Sequence, residues 1–304
     1  MKSVLPLIAA ASMFLFGARA MPDPVAPPPD TLDAQTIRLL DSVIGNSDPG
    51  ACRKIAGKLS ATEIVTAIYR GGRSTRLAAL EVAGYVNHPW PILPYLVALM
   101  NAPERQTASR STGAMLRCLQ RISSSPSGPA DVIEGEFEQL VMALFEVADN
   151  HLLASDLRAS ALFGVGMIDN MTERRHEPSQ ALLEDEDVAV RAAAIGLLNP
   201  PLGDGVLGVL VRIATSSEET PMIRSQAVGL LCENAHAHGV KAPSKDLAKI
   251  IRSLLSAELP AEAVLPIMGC LRRFPPDARA DLVDLALKHP DPAVGKFWES
   301  TENL

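Results

Sequence analysis

Asp187-Val188-Ala189-Val190-Arg191-Ala192-Ala193-Ala194-Ile195-Gly196-Leu197-Leu198 decides the fold. An apolar residue precedes Arg191, a small residue follows it by three places, and Leu197 comes three places later. Offsets of −1, +3, +6 and +10 from such an arginine fall on one face of an α-helix. The small residue at +3 lets a neighbouring helix come close. The arginine sits at the edge of the face, its stem packed and its head free to meet an acid.

Much of this frame recurs. Arg76 is followed by Ala79 and Val82, Arg110 by Gly113 and Leu116, and Arg224 by Ala227 and Leu230. Arg158 is followed by Ala161 and, one place late, by Val165. The residue before the arginine is apolar at Leu157 and Ile223 but polar at Thr75 and Ser109. Spacings between the arginines are 34, 48, 33 and 33 residues. Ser74, Ser155, Asp187, and Thr220 followed by Pro221 supply start signals. A second apolar helix is expected after most of these, over residues 91–101, 136–148, 206–215 and 246–255. The arginine helix and its successor would form a hairpin of about 33 residues that cannot bury its own apolar face, and stacking of hairpins solves that problem. Residues 34–69 are helical but off pattern. Ser60 and Glu63 make a capping box there, and Gly71-Gly72 end that helix, so residues 33–72 are expected to form an amino-terminal cap. No stretch alternates apolar and polar residues as a strand does, so the chain is expected to be all-α with little or no β-strand.

Asp187, Val190, Arg191 and Ala194 together resemble the first-helix signature of the HEAT-repeat family, especially its short bacterial form. The resemblance covers roughly residues 60–295. It is closest around Arg191 and Arg224, looser at Arg76, Arg110 and Arg158, and fades later. The unit near Pro260 lacks the arginine, and Gly295 stands in its place after Asp291 and Val294. The resemblance implies a right-handed α-solenoid over residues 73–304. It also implies an Asp–Arg ladder between repeats, with Asp187 and Arg191 as members. The position four before the arginine holds Gly72, Gln106, Ala154 and Thr220 elsewhere, so a continuous ladder is not expected. Such solenoids hold protein partners on an extended surface, often the face lined by second helices. Glu138, Arg212 and Lys249 mark that candidate surface. A non-catalytic binding scaffold is therefore expected. The alternatives are an enzyme subunit resembling the HEAT-like bilin lyases, which export argues against, and a purely structural envelope component.

Export is read from the amino terminus. Lys2 precedes a mainly apolar run over residues 4–16, and Ala18-Arg19-Ala20 is a small-x-small cleavage site. The run is short for a spanning helix, although an uncleaved anchor is the competing reading. Five prolines within residues 21–32 suggest an extended spacer. A periplasmic or secreted protein, with no stable membrane span after cleavage, is the expectation. Of 304 residues 47% are hydrophobic and only 4% aromatic, which suits close, alanine-rich helix packing. Without Lys2 and Arg19 the chain keeps 26 basic against 35 acidic side chains, a net charge of about −9. That balance disfavours nucleic acid and anionic membranes as partners and leaves a protein partner.

Other groups carry blander readings. The 48-residue interval places its surplus near Ser123 to Pro129, read as a tolerated insertion rather than a partner-contacting loop. Glu134, Glu136, Glu138 and Glu146, and the run from Glu184 to Asp187, read as solvated faces and helix-start charges rather than an acidic groove or a calcium site. His236-Ala237-His238 reads as a helix end before Gly239, not a metal site. Cys52, Cys118, Cys232 and Cys270 form no CxxC motif, and buried thiols are expected. Cys232–Cys270 is an awkward alternative, because equivalent positions on stacked helices point the same way with axes roughly 8–10 Å apart. No catalytic motif and no cofactor-binding motif is present, so neither catalytic residues nor a cofactor is expected.

Overall fold

The structure is a computed structural model that describes residues 31–44, 48–124, 134–241, 243–255 and 260–302. The expected leader, nearly all of the proline-rich spacer and most of the 48-residue interval's surplus, from residue 125 onward, lie outside these residues. Contacts divide the chain after Arg174 into two compact units. Among the described residues all regular structure is helical and no strand occurs.

The first unit contains α1 (Ala34–Asp41), α2 (Pro49–Ala56), α3 (Ala61–Arg70), α4 (Arg73–Ala83), α5 (Leu93–Met100), α6 (Arg105–Ser123), α7 (Glu134–Asp149) and α8 (Ser155–Thr172). A short 3-10 turn, Trp90–Ile92, leads into α5. The second unit contains α9 (Gln180–Leu183), α10 (Val188–Ile195), α11 (Asp204–Thr215), α12 (Pro221–Ala237), α13 (Lys245–Leu255), α14 (Ala261–Leu271), α15 (Pro276–Leu287) and α16 (Pro292–Glu302).

Helices pack in two ways within each unit. Antiparallel neighbours pair, and most helices also meet the one two places along. In the first unit α4, α6 and α8 form one such file, with α5 and α7 in a second. In the second unit α10, α12, α14 and α16 form a file, with α9 beside α11 and α13 beside α15. Pairing differs from the expectation. Each arginine helix packs on the helix before it, in the pairs α3–α4, α5–α6, α7–α8, α9–α10 and α11–α12. Among the described residues no packed face joins α4 to α5, α6 to α7 or α10 to α11. After α12 the pairing changes, and α13 packs on α12.

The arginines mark this pairing. Arg76, Arg158, Arg191 and Arg224 each sit four residues after the helix N-cap, and each backbone N–H donates to that cap's carbonyl, from Gly72, Ala154, Asp187 and Thr220. A side chain there leans back toward its own N-terminus. In an antiparallel hairpin the last turn of the preceding helix lies at that point. Its final carbonyls lack intrahelical donors and carry the negative end of the helix dipole. Arg76 Nε donates to Ile68 O at 2.9 Å, Arg158 Nε to Ala148 O at 2.7 Å and Arg224 Nε to Ala214 O at 3.2 Å. Arg191 Nη1 donates to Asp185 O at 2.6 Å and Glu186 O at 3.0 Å, in the turn after α9. Arg279 on α15, outside the sequence frame, does the same for Arg272 O at 2.8 Å.

Arg110 differs. The N-cap of α6 is Glu104, so Arg110 lies six residues in and points elsewhere. Its Nη1 meets Glu81 Oε2 at 3.1 Å, while Ser111 Oγ donates to Leu96 O at 2.6 Å. Burial agrees: Ala79, Ala161, Ala194 and Ala227 are fully buried, whereas Gly113 is half-buried and Ala114 takes the core position.

Start signals hold in part. Asp187 accepts from Ala189 N–H at 2.8 Å, Thr220 accepts from Ile223 N–H at 3.4 Å, and Ser60 and Glu63 form the capping box. Ser74 and Ser155 do not cap. Gly72 and Ala154 occupy the cap positions, and those turns close through backbone bonds alone. His236 and His238 end α12 in a Schellman turn at Gly239, whose φ is +70°, with Val240 N–H donating to Ala235 O.

The expectation for Cys232 and Cys270 is corrected. They form a disulfide, with Cα atoms 5.8 Å apart. Ser225 and Gly229 line the same face of α12 as Cys232 and meet α14. Ser225 Oγ donates to Ala263 O, and a Cβ on Gly229 would stand only 3.9 Å from Pro266. Cys52 and Cys118 remain free, buried thiols.

Candidate functional site

The turns before α6, α10 and α12 carry acidic residues, which a helix N-terminus favours, whereas those before α4 and α8 carry none. In the second unit two such turns converge. Glu184, Asp185 and Glu186 follow α9, and Glu218 and Glu219 follow α11. With Leu183, Arg191, Arg212, Ile213 and Ser216 they line an open hollow of about 370 Å³.

Ion pairs consume part of this charge. Arg191 pairs with Glu219: Nη2 donates to Oε2 at 2.8 Å and Nε lies 2.7 Å from Oε1, with the side chains only 14% and 10% exposed. The inter-helix partner of Arg191 is thus Glu219, while Asp187 caps α10. Arg212 pairs with Glu184, and Gln180 Nε2 donates to the same carboxylate at 2.9 Å. These bonds, that of Arg212 foremost, hold Glu184 below the usual carboxylate range. Asp185 is buried and accepts from Asp187 N–H at 3.0 Å. Glu186 and Glu218 remain exposed, with no ion pair among the described residues. The hollow therefore presents a surplus of negative charge to solvent.

The first unit carries a different hollow, about 590 Å³, lined by Glu81, Arg105, Gln106, Ser109 and Arg110. Glu81 is held between Arg110 at 3.1 Å and Arg117 at 3.3 Å. Arg117 and Arg53 in turn stand over the Tyr85 ring, 5.2 and 5.9 Å from its centre. This is a structural cluster with one exposed cation beside it, Arg105.

Of the three residues expected to mark a partner surface, Arg212 lines the acidic hollow. Glu138 lies on α7 in the first unit and pairs with Arg174. Lys249 is exposed on α13. Glu138–Arg174 and Arg212–Glu184 are largely solvated pairs, each worth about 0–1 kcal/mol. Glu218 and Glu219 escaped the sequence reading. Their signal was an acidic pair directly before the Thr220-Pro221 start, one repeat after the run at Glu184. Among the described residues no three His, Cys, Asp or Glu side chains are grouped as metal ligands. No helix there is long and apolar enough to cross a membrane. Compared with protein-family models, curated proteins and solved structures, the chain matches none.

Proposed function

We propose that the protein is an exported, non-catalytic scaffold, periplasmic or secreted, whose units are segments of right-handed HEAT-like α-solenoid. It holds a protein partner, and the acidic hollow beside Arg191 takes a basic segment of that partner. One observation carries this reading: the turns before two successive arginine helices converge and leave Glu186 and Glu218 uncompensated. Opposite charges across an interface steer encounter and set specificity. The two-file packing within each unit and the repeated arginine-to-carbonyl bond support the HEAT-like architecture.

Photo-crosslinking from position 216 in the native compartment tests the reading, with position 142 on α7 as control. Ser216 lines the hollow, whereas Met142 is exposed on the first unit. A discrete adduct from position 216 alone is expected, lost in the Glu186→Lys/Glu218→Lys variant and screened by salt. Equal adducts from both positions, or an adduct indifferent to the double reversal, would remove the hollow from consideration.

A further inference from the structure

Three residue pairs mark the seam between α12 and α14. Ser225 Oγ donates to Ala263 O, Gly229 faces Pro266, and Cys232 is bonded to Cys270. Both bonded pairs are 38 residues apart in sequence, so the two helices run parallel in one constant register. Cys232 and Cys270 are 0% and 2% exposed.

α14 is a weak helix on its own. Pro266 lies in its interior, lacks an N–H and crowds the carbonyl one turn earlier. Its N-cap, Pro260, offers no side-chain bond. The helix therefore depends on its neighbours, and later helices depend on it. Arg279 on α15 caps the last carbonyls of α14, and its guanidinium lies 5.0 Å from the centre of the Trp298 ring on α16. The covalent bond thus anchors a chain of contacts that ends at Trp298.

We infer that the Cys232–Cys270 disulfide is a compartment-dependent lock on residues 260–302. With the bond formed, α14 holds its packing against α12, and α15 and α16 hold theirs on α14. With the bond reduced, that packing weakens and the segment unfolds more readily. This inference rests on the export proposed above, because the bond needs an oxidising compartment. Its chemistry is thiol–disulfide exchange with a protein disulfide oxidant. One cysteine thiolate attacks the oxidant's disulfide and forms a mixed disulfide, and the second thiolate then expels the oxidant's thiolate. The two cysteines lose two electrons and two protons, and the oxidant leaves as a dithiol. In a reducing compartment a small thiol such as glutathione drives the reverse. Because both sulfurs are buried, the bond forms before or during closure of the seam. Closing a loop of this length lowers the unfolding constant of the segment by on the order of 10²–10³-fold.

The two tryptophans make the test, since Trp90 lies in the first unit and Trp298 at the end of the second. Full-length Trp90→Phe and Trp298→Phe variants each keep one reporter. Each is titrated with urea oxidised, with dithiothreitol, and after reoxidation by oxidised glutathione. The Cys232→Ala/Cys270→Ala pair is titrated without reductant as a second route to the unlinked state. The expected result is a large fall in the Trp298 midpoint on reduction and in the alanine pair, recovery on reoxidation, and an unmoved Trp90 midpoint. An unmoved Trp298 midpoint, or equal falls at both tryptophans, overturns the lock. Peptide mapping and thiol labelling of protein from fractionated cells address export separately. Free thiols in a cytosolic fraction would defeat export while leaving the lock to the urea result.

Discussion

Helices α6 and α12 each carry a cysteine eight residues after a frame arginine, Arg110 or Arg224, and the two units use it in opposite ways. In the first unit Cys118 Sγ donates to Ala83 O at 3.4 Å and stays a thiol. Burial pushes it up to about 12. In the second unit Cys232 finds Cys270 and becomes a crosslink. The helices that face them differ. Between α4 and α6, Arg117 fills the space beside Gly84 and joins Glu81 and Tyr85 in a polar cluster. Between α12 and α14, Ser225 Oγ donates to Ala263 O, and Gly229 meets Pro266 at ordinary contact distance. Equal spacing from a frame arginine therefore does not give equal environment. A second cysteine faces Cys232 from α14, whereas neither α4 nor α8, the neighbours of α6 in its file, carries one, and that decides the chemistry.

The device common to both units is the arginine that caps the preceding helix, and its burial differs between them. Arg158 is 3% exposed, whereas Arg224 is half-exposed. Arg158→Ala should destabilise the first unit by about 2–4 kcal/mol, through an orphaned carbonyl and lost packing. Arg224→Ala should cost the second unit about 1–2 kcal/mol, because water reaches the freed carbonyl. Urea unfolding followed at Trp90 and Trp298 measures each. Equal losses would show that burial does not grade the device.

Gly84 and Gly229 sharpen the contrast between seams. A Cβ at Gly84 would lie 2.4 Å from Arg117 Nε and 3.2 Å from its Cβ. Gly84→Ala should displace Arg117 from Tyr85 and Glu81 and cost about 1–3 kcal/mol. The double variant with Arg117→Ala should recover part of that loss, and a failure to recover would exclude Arg117 as the obstacle.

Alkaline pH separates the units by a similar amount. Cys118 keeps its proton to about 12 in the folded state but loses it near 9.0 when unfolded. Tyr69, packed edge-on to Tyr95, is likewise pushed up to about 12 from 10.0, chiefly by burial. Burial also raises Cys52, with Glu81 adding to it. Between the two values of each group the unfolded chain holds fewer protons than the folded one, so stability falls as pH rises. The contribution of Cys118 is intact below pH 9 and is lost progressively toward pH 12, by up to about 1.4 kcal/mol per pH unit. All three tyrosines and both free cysteines lie in the first unit. The urea midpoint at Trp90 should drop between pH 8 and pH 10 more than that at Trp298. A larger drop at Trp298 would reverse the assignment.

The smallest effect runs the other way. A Cβ at Gly229 would touch Pro266 at an ordinary 3.9 Å. Gly229→Ala should stabilise the second unit by about 0.5–1 kcal/mol through helix propensity alone. Any destabilisation would mean that the seam with α14 is tighter than these distances.

What was legible in the sequence is what depends on one helix at a time. The burial of Ala79, Ala161, Ala194 and Ala227, the caps at Ser60, Asp187 and Thr220, and the helix end at Gly239 follow from periodicity and from backbone groups that lack partners. The arginine spacing also carried real information, because four of the five frame arginines stand four residues after an N-cap. Arg110 escaped correct phasing because Glu104, not Gln106, caps its helix, and a one-turn pattern cannot register a shift of two. The acidic hollow was half visible: the run at Glu184 was plain, but nothing local tells that Glu218 and Glu219 come to the same place.

Tertiary structure alone decided which neighbour each helix pairs with, and with it the meaning of the arginines. A side chain that leans toward its own N-terminus can reach only what the fold puts there, and the fold puts the last carbonyls of the preceding helix there. It also decided that Cys232 meets Cys270 while Cys118 meets a carbonyl. A helix-by-helix reading knows which way a side chain points, but not how far away the next helix stands. That distance is set by the summed bulk of two facing surfaces, and those surfaces are written in segments 30 to 40 residues apart.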